Sequence, residues 1–200
     1  AFAYSWSVSY DRNSGYISQI ITRTSRKKYF TAKFLVTFIS GGIIFAGALI
    51  LDYVLLAIFS PAYTPIPGDL ASSMDPFHFC SEIFYQNPYL FMLIWFGIAF
   101  LWGGAMSCIS MAAGMLIKKY VISSIVPFLV FTAEQILALY VMQRYTITIK
   151  GTSIGLVWTD MLYAAPMTTS FPEHILLCIA LIIMISTLIY ILRGRKYECL

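Results

Sequence analysis

The sequence predicts an all-α integral membrane protein, a polytopic helix bundle with a short amphipathic helix on its cytoplasmic side. Hydrophobic residues make up 60% of the chain, charged residues only 11%, and the mean hydropathy is +0.79. About a quarter of the residues in a typical soluble domain are charged. Four apolar runs also reach the roughly 20 residues that a helix needs to cross a bilayer. They are Phe34–Phe59, Tyr89–Ile117, Val121–Met142 and Ile175–Leu192.

Residues 1–10 are expected to be the end of a membrane span that begins before this sequence. Their sequence, AFAYSWSVSY, is apolar and aromatic. It has neither the basic start nor the small-residue cleavage site of a secretory signal peptide.

Residues 11–30 form the second predicted unit, an amphipathic helix followed by a basic collar. One side of the helical pattern holds Tyr16, Ile17, Ile20 and Ile21, and the other holds Ser18, Gln19, Thr22 and Arg23. The positive end of the helix dipole favours an acid such as Asp11, and Ser14 or Gly15 suits a cap. This pattern predicts a helix on the membrane surface, with an ordinary cytoplasmic loop as the alternative.

Residues 31–200 form the predicted four-span domain, with outer loops at 60–88 and 143–174. The first loop contains five prolines, and the second is rich in Thr, Ser and Gly. A tight turn, Lys118-Lys119-Tyr120, separates the second and third runs. Pro127 is expected to kink the third span.

Charge predicts the orientation of the bundle. Of the 13 basic residues, all except Arg144 and Lys150 lie in the amphipathic segment, its collar, the Lys118-Lys119 turn or the C-terminal tail. The positive-inside rule places these segments, and therefore the C-terminus, in the cytoplasm. Because topology explains the positive charge, nucleic acid is not an expected partner.

Catalytic, nucleotide-binding and metal-binding motifs are not recognisable in the sequence. It has no Walker A motif, nucleophile elbow or zinc-protease motif. His78 and His174 lie far apart in the outer loops. The cysteines, Cys80, Cys108, Cys178 and Cys199, suggest neither a disulfide pair nor a metal site.

Polar residues inside the predicted spans are candidates for a substrate path. Glu134 and its neighbour Gln135 lie near the middle of the third run, and Asp52 lies in the outer half of the first. An ionised acid at the membrane centre costs at least ~2.5 kcal/mol, so such residues usually face protein or water. The alternative for Glu134 is that it is protonated and makes an interhelical hydrogen bond. The alternative for Asp52 is that its side chain snorkels toward the outer surface of the membrane.

The segment from Asp11 to Lys33 resembles the corresponding segment of type-two ABC exporter permeases. The resemblance rests on Asp11-Arg12, then Gly15, the apolar Ile17, Ile20 and Ile21, then Thr24-Ser25-Arg26, and finally Lys33. The family usually has Glu at the first position and often Pro near Thr24. RTSRKKYF is also similar to small permeases of Gram-positive bacteria. Elsewhere the resemblance is one of topology.

The resemblance implies a permease subunit of the plasma membrane that exports an amphiphilic substrate. Its coupling helix would dock on a separate ABC ATPase subunit, which binds the ATP and magnesium, while this chain carries no cofactor. A second permease subunit would complete a central path, and Thr146–Pro172 would be re-entrant. The implied docking residues are Tyr16, Ile17, Ile20, Ile21, Arg23, Thr24 and Arg26. The alternative is a non-transport sensor or assembly partner that binds anionic membrane lipid.

Overall fold

The described part of the chain is helical except for one two-residue ladder. The computed structural model describes residues 7–60, 80–117, 119–144, 148–149, 152–153 and 172–195. The helices are α1 (Ser7–Asn13), α2 (Tyr16–Arg23), α3 (Arg26–Phe59), α4 (Ser81–Gln86), α5 (Pro88–Leu116), α6 (Tyr120–Arg144) and α7 (Pro172–Arg195). Strands β1 (Thr148–Ile149) and β2 (Thr152–Ser153) pair antiparallel, with Thr148 opposite Ser153. The all-α prediction is therefore confirmed for these residues.

All four apolar runs are helical, and local sequence explains several of the boundaries. α3 begins at Arg26, before the apolar run, because the intervening basic residues are good helix formers and no Gly or Pro interrupts them. It ends at Phe59, and the next residue, Ser60, is extended, as expected for a residue that precedes proline. At the start of α5, the Asn87 side chain accepts a 3.2 Å hydrogen bond from the Leu90 amide, with Pro88 at the first helical position.

α5 is the central helix of the bundle and contacts α1, α3, α4, α6 and α7. Glycines bring α3 and α5 together at close range. A Cβ on Gly103 would lie 2.7 Å from the Gly41 carbonyl oxygen, and a Cβ on Gly42 would lie 2.7 Å from the Phe100 carbonyl oxygen. Side chains there would push the two backbones apart, because only small residues permit so close an approach.

Two apolar clusters of buried side chains lie in the described part of the bundle. One joins α5 to α7 and consists of Phe91, Ile98, Trp102, Ala105, Ile179 and Ile182. The other consists of Val8, Met111, Met115 and Tyr190, with Phe30 and Phe34 packed against it. The second cluster therefore gathers the start of α3, the end of α5 and the end of α7 around α1.

α4 is a helix that the sequence analysis placed in an outer loop. Its Ile83 and Phe84 pack against the first cluster, and the Phe84 and Phe91 rings meet edge to face at 5.3 Å. These contacts hold α4 against the neighbouring α5. The helix has only six residues, too few to show a helical period, which explains why the sequence pattern did not predict it.

Two helical segments in the described part of the chain are long and apolar enough to cross a membrane. They are Lys28–Phe59 and Pro88–Leu116; the apolar stretches Val121–Ala133 and Ile179–Leu192 are shorter. In the most apolar 18-residue stretch of α3, only 22% is buried inside the protein. Its outward face therefore exposes large aliphatic side chains, including Ile43, Leu51 and Ile58.

Candidate functional site

The candidate site is α2, a short helix set apart from its neighbours by a non-helical link at each end. Before it, Gly15 adopts the left-handed conformation (φ 71°), which a residue without a Cβ reaches at little cost. After it, Thr24 is extended, and its amide closes the last turn on the Ile20 carbonyl at 2.9 Å. The glycine cap expected from the sequence is therefore present. These two links allow α2 to run in a direction different from α1 and α3.

One side of α2 faces the protein, and the other is open. Ile17 is only 5% exposed, whereas Tyr16 is 48% exposed. Gln19, Thr22, Arg23 and Thr24 are also exposed, and Ile20 is half-buried. Tyr16, Ile20 and Arg23 follow the helical spacing that places residues on one face. With Gln19 and Thr22 they line an open pocket of about 450 Å³.

The structure separates residues that the sequence analysis assigned to one docking face. Ile17 anchors α2 to its own chain, so it is not available to a partner in this arrangement. Tyr16, Ile20 and Arg23 remain accessible, and Thr24 lies at the exposed end of the helix. The side chains of Ile21 and Arg26 lie outside the described part of the structure.

An ion pair that the sequence analysis did not anticipate links the helices on either side of α2. Lys33 Nζ of α3 lies 2.6 Å from Asp11 Oδ2 of α1, and each side chain is 11% exposed. The Tyr29 hydroxyl donates to the same carboxylate oxygen at 2.6 Å. Lys33 also donates to Ser7 Oγ at 2.7 Å.

The ion pair gives Asp11 a partner that the sequence did not indicate. Asp11 lies inside α1, where its charge is balanced by Lys33 of α3. A buried carboxylate requires such a partner, because an uncompensated charge away from water is costly. The sequence signal was an acid and a lysine at the two borders of the amphipathic segment.

Basic segments that are distant in sequence lie at the same end of the bundle. Ser9 Oγ of α1 donates to the Gly114 carbonyl near the end of α5, at 3.2 Å. The Tyr190 hydroxyl near the end of α7 donates to the Phe30 carbonyl near the start of α3, at 3.3 Å. The collar and Lys119 therefore lie at the end of the bundle that carries α2, and α7 ends there too.

The structure describes the side chain of one of the three predicted substrate-path residues. Asp52 is exposed on α3. Glu134 and Gln135 belong to α6, but their side chains lie outside the described part of the structure. Among the described residues there is also no group of three or more His, Cys, Asp or Glu side chains that could hold a metal ion. Most of Thr146–Pro172, the predicted re-entrant segment, lies outside the described residues, which include β1, β2 and, at the start of α7, Pro172.

Comparisons with known proteins leave the resemblance in the amphipathic segment as a hypothesis. No protein-family model matches the chain, and neither curated proteins nor solved structures provide a match.

Proposed function

We propose that the chain is the transmembrane permease subunit of an ABC exporter, in which α2 is the coupling helix. The observation that carries the proposal is the accessible face of α2, formed by Tyr16, Ile20 and Arg23 with Gln19 beside them. Tyr and Arg are the residue types enriched at protein–protein interfaces. A separate ATPase subunit would bind this face and would also hold the ATP and magnesium.

The refined docking surface differs from the one expected from the sequence. Ile17 holds α2 in place, and Tyr16, Gln19, Ile20 and Arg23 contact the partner; we call these four residues the docking face. Thr24 lies at its border. Ile21 and Arg26 remain docking candidates on sequence grounds alone.

A membrane setting is supported by the apolar outer surface of the bundle. Large exposed aliphatic side chains recur along α3, α6 and α7, including Leu55, Leu129 and Leu188. A helix that is apolar on its outer as well as its inner side suits a lipid environment. We therefore propose that α3, α5, α6 and α7 all cross the plasma membrane.

The proposed orientation places α2 in the cytoplasm. Lys28 of the collar and Lys119 of the α5–α6 turn are both exposed and lie at the end of the bundle that carries α2. By the positive-inside rule this is the cytoplasmic end, so α2 would be accessible to a cytoplasmic ATPase and the C-terminus would be cytoplasmic.

Transport would take place between two permease subunits, either identical or different. An amphiphilic substrate suits a path with apolar walls and few polar groups. Glu134, Gln135 and Asp52 are the candidates for those polar groups, because ionisable residues within spans usually face protein or water.

The second candidate function is a lipid-binding sensor or assembly protein without transport activity. The exposed bases Arg23, Lys28 and Lys119 favour it, since basic clusters beside a membrane attract anionic headgroups. The two candidates differ in what Arg23 contacts, which is an ATPase in one and lipid phosphate in the other.

The proposal is tested by co-purifying the full chain with a Walker-type ATPase from mild detergent. ATP hydrolysis is measured in the eluate. Wild type and Lys119→Glu should both retain the ATPase, whereas Arg23→Glu should lose it. The Lys119 variant controls for a change of charge at the same end of the bundle.

Failure of the wild-type chain to retain an ATPase would contradict the permease proposal. Equal loss in both variants would contradict docking through α2. Weakened binding to anionic vesicles in both variants, with no ATPase present, would favour the lipid-binding alternative.

A further inference from the structure

We infer that Asp11 and Lys33 are positioning residues that lock the segment carrying α2 to α3, so that movement of α2 is passed to the bundle. This inference rests on the proposed function for the source of the movement. We call the contact between Asp11 and Lys33 the lock. It depends only on this chain and can be tested without a partner.

The geometry of the lock joins two helices, α1 and α3, around one carboxylate oxygen. Asp11 Oδ2 receives Lys33 Nζ and the Tyr29 hydroxyl, each at 2.6 Å. Lys33 then reaches Ser7 Oγ at 2.7 Å, so its ammonium group contacts α1 at two positions one turn apart. Two contacts on one helix restrain its rotation more strongly than a single contact does.

The position of α2 in the chain gives the lock its mechanical consequence. α2 is joined to α1 through the left-handed Gly15 and to α3 through the extended Thr24, and neither link is helical. Within α2, the Ile17 side chain is the deeply buried attachment among the described side chains. The ion pair therefore connects the two helices that flank α2 and fixes α1 and α3 relative to each other.

A continuous set of polar contacts leads from the lock into the centre of the bundle. The Thr37 hydroxyl donates to the Lys33 carbonyl at 2.8 Å, and Ser107 Oγ of α5 lies 2.8 Å from the Thr37 carbonyl. Thr37 is fully buried and Ser107 is 2% exposed. A displacement of Lys33 is thus carried to α5 through fixed contacts rather than through a mobile surface.

The ion pair is suited to fixing geometry more than to adding stability. Removing one partner of a buried pair leaves an uncompensated charge, whereas replacing both by neutral groups of similar shape is often nearly neutral for stability. Stability and positioning can therefore be separated by mutation. Asp11→Asn keeps an oxygen for the Tyr29 hydroxyl, and Lys33→Met keeps the length of the side chain without its charge.

The test compares Asp11→Asn, Lys33→Met and the double variant in the full chain. Each is measured for unfolding in detergent and for the spread of distances between spin labels at Gln19→Cys on α2 and Val121→Cys on α6. Both label sites are exposed, and the native cysteines are replaced by alanine. Where the ATPase is present, ATP-driven transport is measured too.

We expect the single variants to be destabilised and the double variant to recover most of the wild-type stability. The double variant should nevertheless show a broad label distance where the wild-type chain shows a narrow one. Its coupling of ATP hydrolysis to transport should fall by roughly tenfold, within the usual range of coupling between sites.

A distribution of label-to-label distances that is as narrow in the double variant as in the wild-type chain would contradict the inference. Recovery of both stability and coupling in the double variant would reduce the pair to a structural role and would also contradict the inference. A third outcome is that the wild-type chain binds no ATPase, while the label distances are broader in the double variant than in the wild-type chain. This outcome would contradict the proposed function and support the lock.

Discussion

Ser110 Oγ donates a 3.0 Å hydrogen bond to the backbone carbonyl of Ser123, the carbonyl four residues before Pro127. Proline has no amide hydrogen, so within α6 it cannot donate the helical bond that this carbonyl would otherwise accept. Ser110 and Ser123 are both fully buried, where an unsatisfied carbonyl is costly. The hydroxyl of α5 thus stabilises the interruption in α6 and holds the two helices in register.

Ser110→Ala is expected to destabilise the protein by about 1–3 kcal/mol, the usual effect of removing one partner from a buried hydrogen bond. The loss should be smaller in a Pro127→Ala background, because alanine restores the amide that bonds to the Ser123 carbonyl. Thermal unfolding of the four proteins in one detergent measures the difference. An equal loss in both backgrounds would show that the two positions are not coupled.

Gly41→Ala is expected to destabilise the α3–α5 contact. Its Cβ would lie 2.8 Å from the Gly103 carbonyl oxygen and would overlap the Ser107 side chain, so the helices must separate. Gly47→Ala on the same helix is the matched control, because nothing lies within 4 Å of its Cβ position. Alanine should be neutral or stabilising there, by up to about 1 kcal/mol from helix propensity.

Unfolding midpoints of these two glycine variants test the packing of α3 on α5. The expected order is Gly41→Ala below wild type, with Gly47→Ala at or above it. Equal midpoints for the two variants would contradict the close approach of the helices.

Membrane-impermeant maleimide is expected to label Cys80 in intact cells but not Cys199, because the outer loop and the C-terminal tail lie on opposite sides of the membrane in the proposed orientation. Burial raises the pKa of the Cys80 thiol, so less of it is thiolate at a given pH than in a free thiol. Labelling should therefore be slower than for an exposed cysteine and should accelerate as the pH rises. Modification that persists in Cys80→Ser cells but disappears in Cys199→Ser cells would reverse the orientation.

Local sequence was sufficient to predict α2 and the four long helices, but not α4. Apolar runs identified α3, α5, α6 and α7, and prolines at 61 and 88 explain where α3 ends and α5 begins. Gly15 similarly indicated the start of α2. These features depend on residues within a few positions of one another, which is why they can be recognised in a single sequence.

The candidate site was harder to predict because it depends on contacts between distant segments. Tyr16 and Ile17 both matched the apolar side of α2, yet adjacent residues differ by about 100° around a helix and cannot share its centre. Only packing determines that Ile17 faces inward. The pairing of Asp11 with Lys33 likewise depends on how α1 meets α3, which no local pattern encodes.

The most direct test of the central claim is photo-cross-linking from the docking face of α2 in membranes. A photoreactive side chain at Gln19, which is exposed on α2, should form an adduct with an ATP-binding chain. The same group at Glu82, exposed on α4, should not. An adduct from Gln19 that contains the Walker-type ATPase is the predicted result. Adducts with lipid alone, or equal protein adducts from both positions, would contradict the assignment of α2 as a coupling helix.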